Sequence, residues 1–175
     1  MDTDAGVVRA AQQADAAGIG LVHVRSWQAA YTGHFPQEFL DALDPAARAE
    51  SWRRILGAAQ RDRQAELVGE VDGHVGGFVS VGPSRDSDAG DAGELYAIYL
   101  LPELWGCGLG RRLMDAALDT LAGLGFDAAT LWVLEGNQRA RRFYEKAGWN
   151  IDGATKVDDG PGFPIAEVRY HRPLA

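Results

Sequence analysis

Three glycines at alternate positions, Gly106, Gly108 and Gly110, stand between a predicted strand and a predicted helix. Such a turn lets backbone N–H groups converge on an anion, assisted by the positive end of the helix dipole. A Cβ there would obstruct a diphosphate or require a disfavoured backbone angle. The alternative is a tight strand-to-helix connection that needs glycine for its geometry alone. The segment has neither the dinucleotide-binding spacing nor the Lys-Ser or Lys-Thr of a P-loop, which argues against NAD and ATP.

The elements that position this turn follow from the spacing of apolar residues. Leucine and alanine recur at helical intervals after the turn, and short apolar runs flank it as strands. The predicted order is a strand over 94–101, a helix from Leu109 to about Gly123 or Gly125, a strand over 129–134 and a helix over 137–147. Strand, helix, strand, helix implies parallel pairing through a crossover helix.

The remaining elements complete one sheet. Asp72-Gly73 is a two-residue turn signal between strands 65–71 and 74–81. Asp15 is the predicted N-cap of a helix that runs to about Tyr31. Further strands are predicted at 7–9 and 165–170. We therefore expect a single domain over residues 1–175, of the α+β or mixed α/β class.

Composition excludes several classes of function. The formal net charge of −8 argues against nucleic acid as a partner, because phosphate binding needs a basic surface. The single cysteine, Cys107, excludes an internal disulfide and a multi-cysteine zinc site, and four scattered histidines predict no metal site. No apolar run approaches the ~18 residues that span a bilayer, and the N-terminus is acidic where a signal peptide would be basic. We expect a cytoplasmic protein with no membrane partner.

Two motifs resemble those of the GNAT superfamily of N-acetyltransferases. In that family an Arg/Gln-x-x-Gly-x-Gly/Ala turn binds the pyrophosphate of acetyl-CoA, and the run 94–114 is similar, with its turn aligned from Trp105 to Gly110. Trp105 occupies the usual Arg/Gln position, and Cys107 stands where Lys or Arg is common. Both departures remove side-chain contacts but leave the backbone amides in place. The run 131–149 resembles the family's Asn-x-x-Ala-x-x-Phe-Tyr-x-x-x-Gly-Phe/Trp element.

The resemblance implies a fold and an activity. The fold would be a mixed sheet of six or seven strands that diverge in the middle, with about four helices and acetyl-CoA in the gap. The activity would be transfer of an acetyl group from acetyl-CoA to an amine, with a small molecule as the expected acceptor. The alternatives are a non-catalytic acyl-CoA-binding sensor and an acetyltransferase of protein N-termini or lysines. Dimers are common in the family, so the resemblance also favours a homodimer.

The resemblance further assigns roles to individual residues. Tyr144 would donate a proton to the departing sulfur of CoA, as a phenol can at neutral pH. Its alternative role, like that of Phe143, is packing in the core. Trp27 and Tyr31 would border the acceptor pocket, although core packing is the alternative for Trp27. The residues expected to bind acetyl-CoA are Ile98, Tyr99, Leu100, Trp105, Gly106, Cys107, Gly108, Leu109, Gly110, Arg111 and Asn137. Asn137 would also cap the helix that follows it.

Glu94 is the predicted general base. It opens the strand 94–101 and by alternation should share a face with Tyr96 and Ile98. A carboxylate there could deprotonate an ammonium directly or through water. The alternative is a solvated residue at a strand end, with His34 as another candidate base. The loop before this strand contains three aspartates, which either are simply solvated or attract a cationic acceptor: Asp86, Asp88 and Asp91.

Overall fold

A computed structural model describes residues 6–58 and 62–174. In this part of the chain seven strands form one mixed sheet in the order β1-β2-β3-β4-β5-β7-β6. The strands are β1 (Val7–Ala10), β2 (Ala65–Val71), β3 (His74–Pro83), β4 (Gly93–Leu100), β5 (Ala128–Leu134), β6 (Asn150–Asp158) and β7 (Ile165–Pro173). The predicted class and strand number are confirmed.

Five helices of the described residues flank the sheet, against about four expected. They are α1 (Ala16–Ala30), α2 (Gln37–Asp41), α3 (Pro45–Gly57), α4 (Leu109–Gly123) and α5 (Gln138–Lys146), with short 3-10 turns at Gln13–Asp15 and Pro102–Leu104. The apolar stripe of α4 packs on one face of the sheet, while Ile19, Val22 and Trp52 from α1 and α3 pack on the other. None of these helices is both long and apolar enough to cross a membrane.

Two local predictions have different outcomes. The Asp72-Gly73 turn is confirmed, because both residues have positive φ angles, 51° and 76°, as a two-residue hairpin turn requires. Asp15 directly precedes α1, at the predicted N-cap position, but its side chain makes no capping hydrogen bond to that helix. A 3-10 turn begins the helical segment at Gln13, so Asp15 is already its third residue. Its carboxylate accepts hydrogen bonds from the Gln12 N–H and from the Arg9 guanidinium instead.

The two central strands of the sheet diverge, and this divergence creates the site. β4 and β5 are parallel but pair only at Gly93↔Ala129 and Glu94↔Thr130. On its other side β4 pairs with β3, and a bulge shifts the register of this pairing between Ser80 and Val81. Leu95 and Ile98 therefore both pack in the larger core cluster, which corrects the expected alternation: Ile98 does not share the face of Glu94.

Candidate active site

A cleft of about 1410 Å³ occupies the gap between β4 and β5. This volume exceeds the ~300–1,000 Å³ typical of a site for one small molecule, so the cleft has room for two reactants. We call one part the turn end, formed by residues 105–111 and the facing side of α5. We call the other part the aromatic end, which is lined by Trp27, Tyr31, Phe35, Tyr96, Tyr99, Trp132 and Glu167.

Glycine is required at two positions of the turn end. Gly106 and Gly108 have φ angles of +82° and +94°, which residues with a side chain rarely adopt. A Cβ added to either would meet nothing within 4 Å, so the backbone angle alone demands glycine. Gly110 differs, because it is helical and its Cβ would make an ordinary contact of 3.5 Å with Leu100.

The turn also leaves a helix N-terminus uncapped. Gly108 is the N-cap of α4, and no side chain caps this helix end. The N–H of Arg112 bonds to the carbonyl of Gly108 at 3.2 Å, so the N–H groups before it in the first turn have no helical partner. An anion there would gain both these donors and the helix dipole. Cys107 and Leu109 contribute no side chain: the Cys107 thiol is bonded to the Leu104 carbonyl, and Leu109 is buried in the core.

Four cationic side chains line the turn end although the chain as a whole is acidic: Arg111, Arg139, Arg142 and Lys146. Three of them lie on α5, whose residues 138–146 place them beside the turn. The sequence analysis missed these α5 cations. Their spacing on the predicted helix 137–147 was the available signal. They make the turn end suitable for a phosphate-bearing ligand.

The edge of β4 is open toward the cleft. From Leu95 to Leu100 the strand pairs with β3, but in the described part of the chain no strand pairs with its other edge. Half of its backbone N–H and C=O groups therefore face the cleft. Ile98, Tyr99 and Leu100 line this stretch, as expected for residues that bind an extended ligand through the backbone.

Tyr144 and Asn137 flank this edge from α5. The Asn137 side chain accepts the N–H of Ala140 at 3.1 Å, which confirms its predicted capping role, and Asn137 also lines the cleft. Tyr144 is buried and lines the same cleft. Burial raises the pKa of its phenol, with a smaller contribution from Tyr99, so the hydroxyl remains protonated at neutral pH.

Ring contacts build the aromatic end. Trp27 meets Tyr31 edge-on at 5.3 Å between ring centroids, and Tyr31 stacks on Phe35 at 4.4 Å. Phe35 in turn contacts Phe163 of the β6–β7 connection at 5.0 Å. These contacts join the α1 side of the cleft to the β7 side. The predicted acceptor residues Trp27 and Tyr31 thus lie together, whereas His34 is exposed and is not among the residues that line the cleft.

Glu94 is neither solvated nor free. Only 1% of its side-chain surface is exposed, and its carboxylate accepts hydrogen bonds from the backbone N–H and the guanidinium of Arg85. The Arg85 guanidinium also lies 4.6 Å from the centroid of the Tyr96 ring. These donors occupy both oxygens of the Glu94 carboxylate.

The aspartates of the preceding loop are also paired. Asp86 and Asp88 bind the Arg169 guanidinium, and Asp86 accepts the Trp132 indole N–H at 2.9 Å. Asp91 binds Arg63. Ion pairs thus anchor this loop, while the Asp88 and Asp91 side chains remain 66% and 77% exposed, as expected of a solvated segment.

Glu167 is a cleft residue that the sequence analysis missed as a site candidate. Its side chain is 19% exposed, and its ion pair with the Lys156 ammonium is long, at 3.5 Å. Burial raises the pKa of its carboxyl, while Lys156 partly opposes this effect. The position of Glu167 in the predicted strand 165–170 did not mark it as a site residue, because nothing in the sequence indicates that β7 lies near α1 or β4.

Residues 23–149 match the model of the Acetyltransferase (GNAT) family. This chain belongs to the GNAT family. The match spans both motifs singled out in the sequence, the glycine turn and the Asn137–Trp149 element.

Relatives and solved structures agree with the family. The chain is 36% identical to the uncharacterised N-acetyltransferase YuaI of Bacillus subtilis over 74% of its own length and 72% of that protein. It is 30% identical to the peptidyl-lysine N-acetyltransferase YjaB of Escherichia coli over 68% of its length and 85% of that protein. The crystal structure of the PaiA N-acetyltransferase of Thermoplasma acidophilum in complex with coenzyme A has the same fold, with a TM-score of 0.76, 20% identity, and coverage of 95% of this chain and 98% of that one. The chain is an N-acetyltransferase.

A cation from α5 lies against the turn at Trp105. Trp105, where the family commonly has Arg or Gln, donates its indole N–H to the carbonyl of Leu100 at 3.3 Å. The Arg139 guanidinium lies over the Trp105 ring, 3.2 Å from its centroid. The aromatic ring thus holds a cation from α5 beside the turn. Among the described residues, no group of three or more His, Cys, Asp or Glu side chains could hold a metal ion.

Proposed function

We propose that this N-acetyltransferase acetylates a primary amine of a small molecule by direct attack on acetyl-CoA. One observation carries the proposal: a single cleft connects the glycine turn, the open edge of β4 and Tyr144 with an aromatic chamber that contains a half-buried carboxylate. Two reactants held in one cleft can react without a covalent intermediate on the enzyme.

The residues present fit acetyl-CoA. The positive φ angles of Gly106 and Gly108 and the uncapped α4 N-terminus suit a pyrophosphate. Arg139 and the other cations of the turn end would bind phosphate oxygens, and the open edge of β4 around Ile98 and Leu100 would bind the pantetheine amides. Acetyl-CoA would supply the activated acetyl group as a thioester.

Tyr144 acts as the general acid in this proposal. The nitrogen lone pair attacks the thioester carbonyl carbon, the C–N bond forms and the C–S bond breaks, so that an electron pair passes to sulfur. Tyr144 donates its proton to that sulfur, the nitrogen loses a proton to water, and the phenolate is reprotonated from solvent. The phenol is in its acid form throughout the neutral range, as a proton donor must be.

Glu94 stays a predicted base, but its contacts favour a different contribution. Hydrogen bonds from both the backbone and the side chain of Arg85 hold its carboxylate. A carboxylate held in this way fixes the loop after β3 against the start of β4, where the two central strands separate. We propose that Glu94 positions this corner of the cleft.

The aromatic end supports a small acceptor. The contacts of Phe35 and Phe39 with Phe163, at 5.0 and 5.1 Å, close this end between the α1 side and the β6–β7 connection. An extended peptide would need an open groove there. Peptidyl-lysine acetylation is the second candidate, because the relative YjaB carries that name.

The test is a screen of thiol release from acetyl-CoA with small amines, amino acids, polyamines and lysine peptides. Small amines should exceed lysine peptides at least about tenfold in kcat/KM, a discrimination that pocket contacts commonly supply. A preference for peptides would support the second candidate. Thermal unfolding runs in parallel, and at 100 times its Kd acetyl-CoA should add about 2.7 kcal/mol of stability. Stabilisation without thiol release from any acceptor would indicate a sensor.

A further inference from the structure

Glu167 lies on the wall of the cleft that faces α1. On β7, Val168 and Tyr170 belong to the larger core cluster, so the alternating residues Ile165, Glu167 and Arg169 face the other way. Ile165 packs in the cluster of Phe35 and Leu40, and Arg169 binds the aspartates of the loop before β4. Glu167 stands between these two anchored neighbours, opposite Leu134 of β5 and Lys156 of β6.

Charged and titratable groups from every side of the cleft surround Glu167. Tyr31 of α1 and Tyr99 of β4 are close enough to feel its charge, as are Lys156 and Asp158 of β6. Arg85 is near but is already bound to Glu94. Lys156 is shared with the Trp132 ring, which lies 4.2 Å from its ammonium. Glu167 is thus held much more loosely than Glu94.

We infer that Glu167 binds the ammonium of the acceptor and takes its first proton, and that the aromatic end selects primary amines carried on an aromatic or similarly flat apolar body. This inference rests on the proposed function and names its acceptor class. The proton leaves the ammonium for a Glu167 oxygen, which leaves the neutral amine that attacks the thioester. Glu167 then releases the proton to water.

The walls of the aromatic end specify the body of the acceptor. Six aromatic side chains line this end, supplied by α1, the segment after it, β4 and β5: Trp27, Tyr31, Phe35, Tyr96, Tyr99 and Trp132. A flat ring of the acceptor packs against such walls edge-on or offset, and the faces of the wall side chains also attract its ammonium. A linear polyamine would leave these rings poorly covered and would bury additional charges.

The charges of this end disfavour an acceptor that carries a carboxylate beside its amine. Glu167 and Asp158 would both repel it. Arg85, the cation near Glu94, has its guanidinium bound to that carboxylate. Lys156 is the other cation that lines this end among the described residues, and Glu167 and Trp132 contact it. Arg48 lies against the Trp27 ring, 5.9 Å from its centroid, but does not line the cleft. The acceptor is therefore an amine and not an α-amino acid.

The raised pKa of the Glu167 carboxyl, caused first by burial, supports its use as a base. A carboxylate whose pKa is raised toward neutrality accepts a proton more readily than a solvated one.

Matched acceptors and matched variants test the inference. 2-Phenylethylamine and phenylalanine differ by one carboxylate, and n-hexylamine replaces the ring with a chain of similar length. Glu167→Gln removes the proposed ligand and base. Asp158→Asn removes the same charge from the same cleft and serves as its control. The readouts are kcat/KM against pH, and the affinity of 2-phenylethylamine by calorimetry with saturating CoA.

We expect kcat/KM for 2-phenylethylamine to exceed that for phenylalanine and n-hexylamine by about tenfold or more. Glu167→Gln should lower it about 10²-fold near neutral pH and progressively less in alkali, where free amine is abundant. Calorimetry should show at least about tenfold weaker amine binding in Glu167→Gln, with acetyl-CoA affinity unchanged. With 2-phenylethylamine, Asp158→Asn should change each value less than about threefold. Its use of phenylalanine should rise, because one of the two repelling charges is removed.

Unchanged amine affinity in Glu167→Gln, equal effects of the two variants, or equal use of phenylalanine would overturn the inference while leaving amine acetylation intact. Acetyl-CoA binding without transfer to any amine would overturn the proposed function, and the inference with it. Acetyl-CoA affinity also reports folding, so a Glu167→Gln protein that fails to fold is recognised. Glu167→Asp then replaces it and should show an intermediate loss, because its carboxylate is retained but withdrawn by one methylene. Wild-type behaviour of that variant would overturn the assignment.

Discussion

The turn end and the aromatic end of the cleft are built in different ways. The glycine turn of the turn end is a local structure in which seven consecutive residues, 105–111, set backbone angles and free the N–H groups of one helix. The aromatic end gathers side chains from residues 27 to 167, which converge only through the sheet. A substitution in the glycine turn therefore acts mainly through the backbone, and one at the aromatic end acts through chemistry and packing. A family motif consequently identifies the acetyl donor and says little about the acceptor.

Tyr144 lies where the two ends meet, and its variant should have the largest effect. Tyr144→Phe preserves the ring and its packing but removes the proton donor. We expect kcat to fall ~10²–10⁴-fold, with acetyl-CoA affinity nearly unchanged. Because the pKa of Tyr144 is raised, wild-type activity should not decline up to pH 9 through loss of this proton. Steady-state kinetics with a thiol-detecting reagent measures both quantities, and near-normal kcat in the variant would assign Tyr144 to the core alone.

Two glycine variants separate backbone geometry from residue size at the turn end. Gly108→Ala places a Cβ at φ +94° and should weaken acetyl-CoA binding at least about tenfold. Gly110→Ala is the matched control, since its Cβ would make only ordinary contacts and alanine favours the helix. Calorimetric titration with acetyl-CoA should distinguish the two. Equal losses would mean that the size of the side chain, and not the backbone angle, decides binding.

The third prediction concerns His23, which supports the aromatic end, and its expected effect on the pH dependence of stability is smaller. Its ring stacks on Tyr99 at 5.5 Å and accepts the Trp52 indole N–H at 3.2 Å, and burial lowers the pKa of this histidine to about 3. The unfolded chain binds a proton near pH 6.5, whereas the folded chain resists it. The stability from neutral His23 is thus complete above pH 6.5 and is lost as the pH falls toward 3.

Between pH 6 and 4.5 the burial of neutral His23 should lower the free energy of unfolding by at most about 1.4 kcal/mol for each pH unit of acidification. Urea unfolding of the wild type and of His23→Phe across this interval measures it. The slope should diminish in His23→Phe and persist in His74→Gln, whose histidine is exposed at the start of β3. An unchanged slope in His23→Phe would show that other groups cause the acid sensitivity.

The sequence predicts the turn end better than the aromatic end for a physical reason. Strand 94–101, the glycine turn and helix 109–123 are continuous in the chain, so local periodicity and turn chemistry describe them. The pairing of Glu94 with Arg85 depends on a loop that folds back over β4, and the bulge at Ser80/Val81 breaks the simple alternation that placed Ile98. Glu167 and Tyr31 line the same end of the cleft only because β7 inserts between β5 and β6. No local pattern encodes that strand order.

The central claim is that both reactants occupy the cleft together and that the amine attacks acetyl-CoA directly. Initial velocities measured across a grid of acetyl-CoA and amine concentrations test it most directly. The account predicts double-reciprocal lines that intersect, as for a ternary complex. Parallel lines, the signature of an acetylated enzyme intermediate, would contradict it.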